Sequence, residues 1–376
     1  MAPMTTTAPP ASGSRLPWQA LPDVVRDAVA EMTGGPVVEA VTQSGGFSPG
    51  VAARVRTAGG RRAFVKAVSS ESNPYSPAMH RAEARNAAAL PPQVPAPRLL
   101  GAYDDGTWVA LVFEDVAGRQ PHVPWRAAEL RGVLDAVARL ARALTPCPLD
   151  ARPAAEALAR NFAGWQDLRD GAEGEVADRL GAWTAARLDR LAELAGPWAQ
   201  AVAGDTLAHG DLRADNMLLT EDGRVVFVDW PHVVRAAPWF DLLVMLPCVR
   251  GQGGPDPQEV FTRHELGAGA DPDAVTAALA ALAGYFLRHS LLPPAARHPH
   301  PARLPAGAGR GRPGVAQDAA AAVTRARITR GSSPISGCHC TPSTQCGPGS
   351  STASTVPSAA CAQGTRPVPR RSSAWW

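Results

Sequence analysis

Lysine is almost missing from this chain: one residue, Lys66, stands against 36 arginines in 376 positions. Where arginine serves nearly everywhere else, the single retained ammonium marks a candidate for a role that a planar guanidinium does not fill. Cysteine is scarce as well. Of six, four (Cys338, Cys340, Cys346 and Cys361) fall near the C-terminus, which leaves Cys147 and Cys248 for the rest and excludes a disulfide scaffold. Met1 to Arg15 has no apolar stretch of the secretory kind, and the longest mildly apolar run, Ala274 to Leu287, is shorter than the roughly 18 to 20 residues of a bilayer span. A cytoplasmic protein with no membrane partner is expected. With 19% charged residues and a formal net charge of +3, nothing calls for a nucleic-acid partner either.

The averaged charge hides a split. Residues 1–150 carry 15 basic and 13 acidic groups, residues 151–294 carry 12 and 20, and residues 295–376 carry 10 and 1. The last segment has no sustained apolar period and is rich in Pro, Gly, Ser, Ala and Arg, so it is expected to pack no core. Its change of style after Pro294, with acids lost and cysteines gained, is how a high-GC gene reads when translated out of frame. A basic tail is the alternative. The Cys338-His339-Cys340 cluster lacks the usual spacing of a zinc site.

Ahead of that tail the patterns divide into two regions. Pro36 to Gln43, Val51 to Thr57 and Arg61 to Val68 read as strands joined by Ser44-Gly45-Gly46-Phe47-Ser48-Pro49-Gly50 and by Ala58-Gly59-Gly60, both turn-forming. Pro77 to Leu90 has helical composition. Arg98 to Tyr103 and Trp108 to Glu114 are two further strands around an Asp104-Asp105-Gly106-Thr107 turn. From Ala117 the apolar spacing becomes helical, over Arg126 to Leu144, Pro153 to Leu168, a broken stretch from Val176 to Val202, Phe240 to Leu246, Gln258 to Leu266 and Asp273 to Leu287. One β interruption falls inside this region, Met217 to Leu219 and Val225 to Val228 around Glu221-Asp222-Gly223. The expected segments are a disordered 1–17, a first lobe over 18–116, a second over 117–292, and the tail 293–376.

Polar residues crowd both ends of that hairpin. His209-Gly210-Asp211-Leu212-Arg213-Ala214-Asp215-Asn216 precedes it and Asp229 follows it. Two carboxylates and an amide around one hairpin can converge on a hard cation such as Mg²⁺, which takes oxygen ligands. Each of these residues alone is ordinary turn chemistry; the whole arrangement is much rarer.

His209 to Asn216 resembles the catalytic loop of the aminoglycoside phosphotransferase and related small-molecule kinase family, and Val228-Asp229-Trp230 resembles that family's metal-binding segment. Asp241, in Pro238-Trp239-Phe240-Asp241-Leu242-Leu243, resembles its downstream Asp-Leu helix start. The resemblance runs over about residues 30 to 292. It implies an α+β, two-lobed protein-kinase-like fold that transfers the γ-phosphoryl of ATP or GTP to a hydroxyl of a small molecule. Asp211 would act on the acceptor hydroxyl, Asn216 and Asp229 would hold Mg²⁺, and His209 and Asp241 would support the loop. Lys66 on the third strand would meet the phosphates, oriented by Glu83 on the next helix, with Glu71 a rival partner. Ser44, Gly45 and Gly46 would cover the phosphates, although the segment is not G-x-G-x-x-G. Backbone groups of Glu114 and Val116 would bind the base; without the resemblance, Glu114 and Asp115 read as two solvated acids at a strand end.

His232, His264 and His289 have no metal-ligand spacing. Of the tryptophans at 125, 165, 183, 198, 230 and 239 most are expected in the core, with one or two left to line an acceptor pocket. The acidic excess of residues 151–294 suits a cationic acceptor. A catalytically inactive nucleotide-binding regulator of the same fold is the alternative function. A protein kinase fits less well, because no Ala-Pro-Glu segment is present and Asp229 is followed by a helix after only about ten residues.

Overall fold

The computed structural model describes residues 15–43, 50–171 and 180–291. The tail from 293, with its cysteine cluster, lies outside the described residues.

The first lobe is a five-stranded antiparallel sheet in the order β1-β2-β3-β5-β4: β1 Val37–Thr42, β2 Val51–Thr57, β3 Arg62–Ser69, β4 Leu99–Asp104 and β5 Trp108–Glu114. Period-two alternation gives the sheet two apolar faces. Val65 and Ala67 of β3, with Ala110 and Val112 of β5, pack against Trp18, Leu21, Val25 and Val29. The last two belong to helix α1, Asp23–Thr33. On the other face Phe64, Val68, Val109, Leu111 and Phe113 meet Ala84 and Ala87 of helix α2, Ser76–Ala89. Lys66 lies between Phe64 and Val68 in the alternation, so β3 presents it on the α2 side.

Helix α1 is absent from the expectations above. Its signal is the Val25/Val29/Thr33 spacing, carried by only three turns and blurred by Val24, which is exposed. The chain is also placed earlier than expected: within the stretch read as disordered, Leu16 donates its N–H to the Gly50 carbonyl at 2.9 Å and packs on the α1 core.

The second lobe opens with the two-residue strand β6, Gly118–Arg119, and helix α3, Ala127–Ala143. The expected helix over Pro153 to Leu168 is instead three short ones, α4 Ala154–Ala157, α5 Ala159–Phe162 and α6 Gly164–Asp170. The chain bends at Leu158 and Ala163, where ψ is near zero, and the bends still bury Phe162, Trp165 and Leu168. Helices α7 Ala182–Ala185, α8 Leu188–Ala195 and α9 Trp198–Ala201 follow. Helix α10, Phe240–Gly251, runs on past Leu246 through Pro247. Gln258 to Leu266 divides into α11 Pro257–Arg263 and α12 Glu265–Ala268, because His264 leaves the helix and its ring accepts from the Leu266 N–H.

The last described helix, α13 Pro272–Leu291, corrects the expectation of a short apolar run: at 20 residues it is long and apolar enough to cross a bilayer. Its place is the lobe core. Val275, Ala278, Leu279, Ala281, Leu282 and Tyr285 are buried there, and Trp165 donates its indole N–H to the Ala280 carbonyl at 2.6 Å. Five of the six tryptophans considered above are buried, while Trp183 stacks under the Arg187 guanidinium at 4.8 Å.

Small strands frame the polar loops. Strand β7, Thr206–Ala208, pairs with β10, Val234–Ala236, and β8, Met217–Thr220, pairs with β6 and with β9, Val225–Phe227.

Candidate active site

The segment between β7 and β8 is fixed from behind. Asp241, at the first turn of α10, accepts the His209 N–H at 2.7 Å on one carboxylate oxygen and the Gly210 N–H at 2.9 Å on the other. Burial pushes its carboxyl up to about 6 even though both backbone bonds favour the charged form. Gly210 has φ +78°, and a Cβ there would lie 2.4 Å from the His232 carbonyl oxygen, so the turn admits glycine alone. His209 is fully buried; its Nε2 faces the Val228 carbonyl at 3.0 Å, its Nδ1 accepts the Asp211 N–H at 3.3 Å, and its ring lies 4.6 Å from that of Trp230. Burial drives the imidazole down to about 4, which leaves it neutral and spanning the two loops.

Asp211 is buried, and that burial raises its carboxyl well above the ordinary value, against the pull of the neighbouring Arg213. Arg213 had been given no role from the sequence, yet it organises the loop. Its Nη1 reaches Asp211 Oδ1 at 3.1 Å, while Nε and Nη2 hold both oxygens of Asp215 at 3.0 Å. The amide of Asn216 turns its Nδ2 toward Asp211, 2.8 Å from the backbone oxygen and 3.2 Å from Oδ2.

Asp229 follows β9 by two residues and has φ +72°, the one non-glycine positive φ among the described residues. Lys66 Nζ stands 2.7 Å from Asp229 Oδ1 and 2.7 Å from Glu83 Oε1. Glu71 is not the partner: the ion pairs of Lys66 are with Glu83 and Asp229. Burial opposes the lysine charge, but Asp229 and Glu83 outweigh it and keep Lys66 protonated. Burial likewise works against the Asp229 carboxylate, and Lys66 holds it below the usual carboxylate range. The Glu83 carboxyl is raised by burial. A tight ammonium with a carboxylate on each side meets the geometric demand that the lone lysine suggested.

Ser44, Gly45 and Gly46 lie outside the described residues. Gly50, the first described residue after them, has φ +119°, and a Cβ would come within 2.3 Å of the Ala67 carbonyl oxygen on β3. At the junction of the lobes the Glu114 N–H donates to the Arg98 carbonyl at 2.9 Å and the Val116 carbonyl accepts from Arg54 at 3.1 Å. The reading of two solvated acids there fails for Asp115, whose side chain is 4% exposed and held by Arg54 and Arg62. The chain curls at the end of β5 and turns this carboxylate back under two arginines of β2 and β3.

Asn86, one turn beyond Glu83 on α2, also escaped the sequence reading; its Nδ2 donates to the Trp230 carbonyl at 2.8 Å. Among the described residues, no group of three or more His, Cys, Asp or Glu side chains is arranged to cage a metal. Asp229, 38% exposed with one oxygen turned to Lys66, and the Asn216 amide offer instead a sparse oxygen set.

Comparison with known proteins gives the following. The sequence model of the family described as "Phosphotransferase enzyme family" matches residues 44–285. A comparison with curated protein sequences gives no match. Among solved structures, the chain is similar to choline kinase LicA from Streptococcus pneumoniae, with a TM-score of 0.53 and 12% identity over 79% of this chain and 98% of that one. It is similar also to an aminoglycoside-3'-phosphotransferase of type VIII, with a TM-score of 0.46 and 25% identity over 69% of this chain and 98% of that one. A third is macrolide 2'-phosphotransferase MphH from Brachybacterium faecium, with a TM-score of 0.45 and 18% identity over 80% of this chain and 97% of that one.

Proposed function

The chain belongs to the phosphotransferase enzyme family, and on that premise we propose that it moves the γ-phosphoryl group of ATP or GTP to a hydroxyl of a small molecule in the cytoplasm. The observation that carries the reading is Lys66 held between Glu83 and Asp229 at 2.7 Å each, with Asp229 near enough to the buried Asp211 for its charge to act there.

Phosphoryl transfer leaves the protein little covalent work, so positioning and charge neutralisation dominate. Lys66 meets the phosphates from the roof of the cleft, and Glu83 fixes its ammonium there. Ser44, Gly45 and Gly46 cover the phosphates. The base sits against the chain between Glu114 and Val116; since the Glu114 N–H and the Val116 carbonyl are engaged elsewhere, its contacts fall to the Glu114 carbonyl and the Val116 N–H. Asp211 accepts the acceptor's hydroxyl proton; Arg213 favours the ionised form of that carboxylate against the effect of burial and aims it, and Asp241 and His209 hold the loop.

Asp229 and Asn216 fit a Mg²⁺ ion. A carboxylate plus an amide oxygen, with the nucleotide's own phosphates and water completing the shell, is the sparse coordination this cation favours over an all-protein cage. When bound, the ion supplies charge neutralisation between the phosphates. The acidic excess of residues 151–294 favours a cationic hydroxylated acceptor.

The test is a screen of hydroxylated small molecules, aminated and neutral, against the purified full chain, read as ADP or GDP release. Release that requires both the acceptor and Asp211 supports the proposal. Nucleotide binding with no acceptor-dependent release across the screen favours the regulatory alternative.

A further inference from the structure

The strain at Asp229 raises the question of what maintains it. A non-glycine residue in the left-handed region relaxes unless its neighbours over-determine it. On the upstream side the catalytic loop does this: the Val228 carbonyl faces His209 Nε2 at 3.0 Å and the Val228 N–H donates to the Asn216 carbonyl at 3.0 Å. On the downstream side the Trp230 indole donates to the Phe227 carbonyl at 2.9 Å, which anchors the ring. The main chain of Trp230 is held by α2. Its carbonyl accepts Asn86 Nδ2 at 2.8 Å. Glu83 and Asn86 are three apart and therefore share one face of the helix.

We propose that Asn86 is a positioning residue for Asp229: by fixing the peptide that follows, it keeps the carboxylate turned into the cleft where Mg²⁺ and the phosphates bind. Helix α2 thereby holds the main chain that follows Asp229 through Asn86, and the ammonium beside Asp229 through Glu83. The role rests on the proposed phosphotransfer for the identity of its ligand; the contact itself does not.

The experiment measures binding of a non-hydrolysable ATP analogue to the full chain by calorimetry over a MgCl₂ series and in EDTA. It compares wild type with Asn86→Leu, which has no donor, Asn86→Gln, which keeps one, and Asn86→Asp as an isosteric variant should the leucine form fail to fold. The donor-less variants are expected to need about tenfold more Mg²⁺ for half-maximal binding, the effect of losing one buried hydrogen bond. Affinity in EDTA stays within about twofold, and Asn86→Gln recovers most of the Mg²⁺ response. An unchanged Mg²⁺ midpoint, an equal loss with and without Mg²⁺, or a glutamine variant that tracks the leucine one overturns the role of Asn86 alone. If the wild type binds no nucleotide with Mg²⁺ present, the phosphotransfer reading falls, and this inference with it.

Discussion

Replacing Arg213 by methionine removes the one cation that faces Asp211 inside the loop, and the size of the effect follows from the geometry. The guanidinium touches Asp211 at 3.1 Å and Asp215 at 3.0 Å, with side chains 5%, 8% and 22% exposed for Arg213, Asp211 and Asp215. Taking one partner from a buried pair costs about 3 to 5 kcal/mol. Asp215 retains access to water, so most of that cost falls on Asp211, which escapes it by binding a proton. At roughly 1.4 kcal/mol per pKa unit, the lower bound corresponds to about 2 units on top of the raised value that burial already imposes. Because the proposed step needs Asp211 ionised, the acid limb of kcat/KM should move about 2 pH units upward, with activity partly recovered in alkaline buffer.

Stability should follow the same linkage. A carboxyl whose folded pKa is raised favours folding below its unfolded value of about 4 and loses that contribution as the pH climbs through the folded pKa. The variant should therefore lose little against wild type near pH 5 and most above neutrality. Acceptor-dependent ADP release from pH 5.5 to 9.5, with urea unfolding at both ends, measures both effects. An acid limb at the wild-type position, with a uniform loss of stability, would refute the account and leave Arg213 a packing residue. Arg213→Lys should rescue only part, since a single ammonium does not span both carboxylates as the fork does.

Three further outcomes are expected. Lys66→Arg should lower kcat/KM by about a hundredfold, because two oxygens at 2.7 Å enclose a compact ammonium and a planar fork does not take that place; near-normal kinetics would make the single lysine an accident of composition. Asp211→Asn should abolish turnover and leave nucleotide affinity within a few fold, whereas Asp229→Asn should weaken Mg²⁺-dependent nucleotide binding; calorimetry separates the two, and reversed or equal effects would overturn the division of roles. Asp241→Asn replaces one acceptor by a donor facing a backbone N–H, so urea unfolding should show a loss of about 2 to 4 kcal/mol, and a neutral result would mean that the loop is held elsewhere.

What the sequence disclosed and what it hid divide along a physical line. Strand periodicity alone places Lys66 on the face opposite Val65 and Ala67, while its pairing with Glu83 was legible only through the resemblance to the small-molecule kinase family, which left Glu71 as a rival. The Asp211, Asn216 and Asp229 set was legible for a local reason: its members bracket one hairpin, and a hairpin brings its ends together whatever surrounds it. Helix α1 was missed although Val25, Val29 and Thr33 keep helical spacing: the exposed Val24 blurs the stripe, and the buried face becomes plain only against the sheet it covers.

The polar contacts that tie the site together were invisible for a different reason. Asn86 and Trp230 are 144 positions apart, and Asp241 meets His209 across 32, a support that only the family resemblance had suggested. Apolar periodicity reports which side of an element faces inward; it does not report which buried donor will find which acceptor, because that is settled only when the elements dock and every buried polar group must be satisfied. Asp115 shows the consequence. Hydropathy at the end of β5 reads it as solvated, but Arg62 lies on the neighbouring strand and Arg54 on the one beyond, and the sheet brings both over it. Asp229 depends on docking in the same way. Its identity was readable, while its left-handed backbone depends on Val228 and Trp230 being held by partners from the catalytic loop and from α2, and a change in any of those partners alters the carboxylate without touching it.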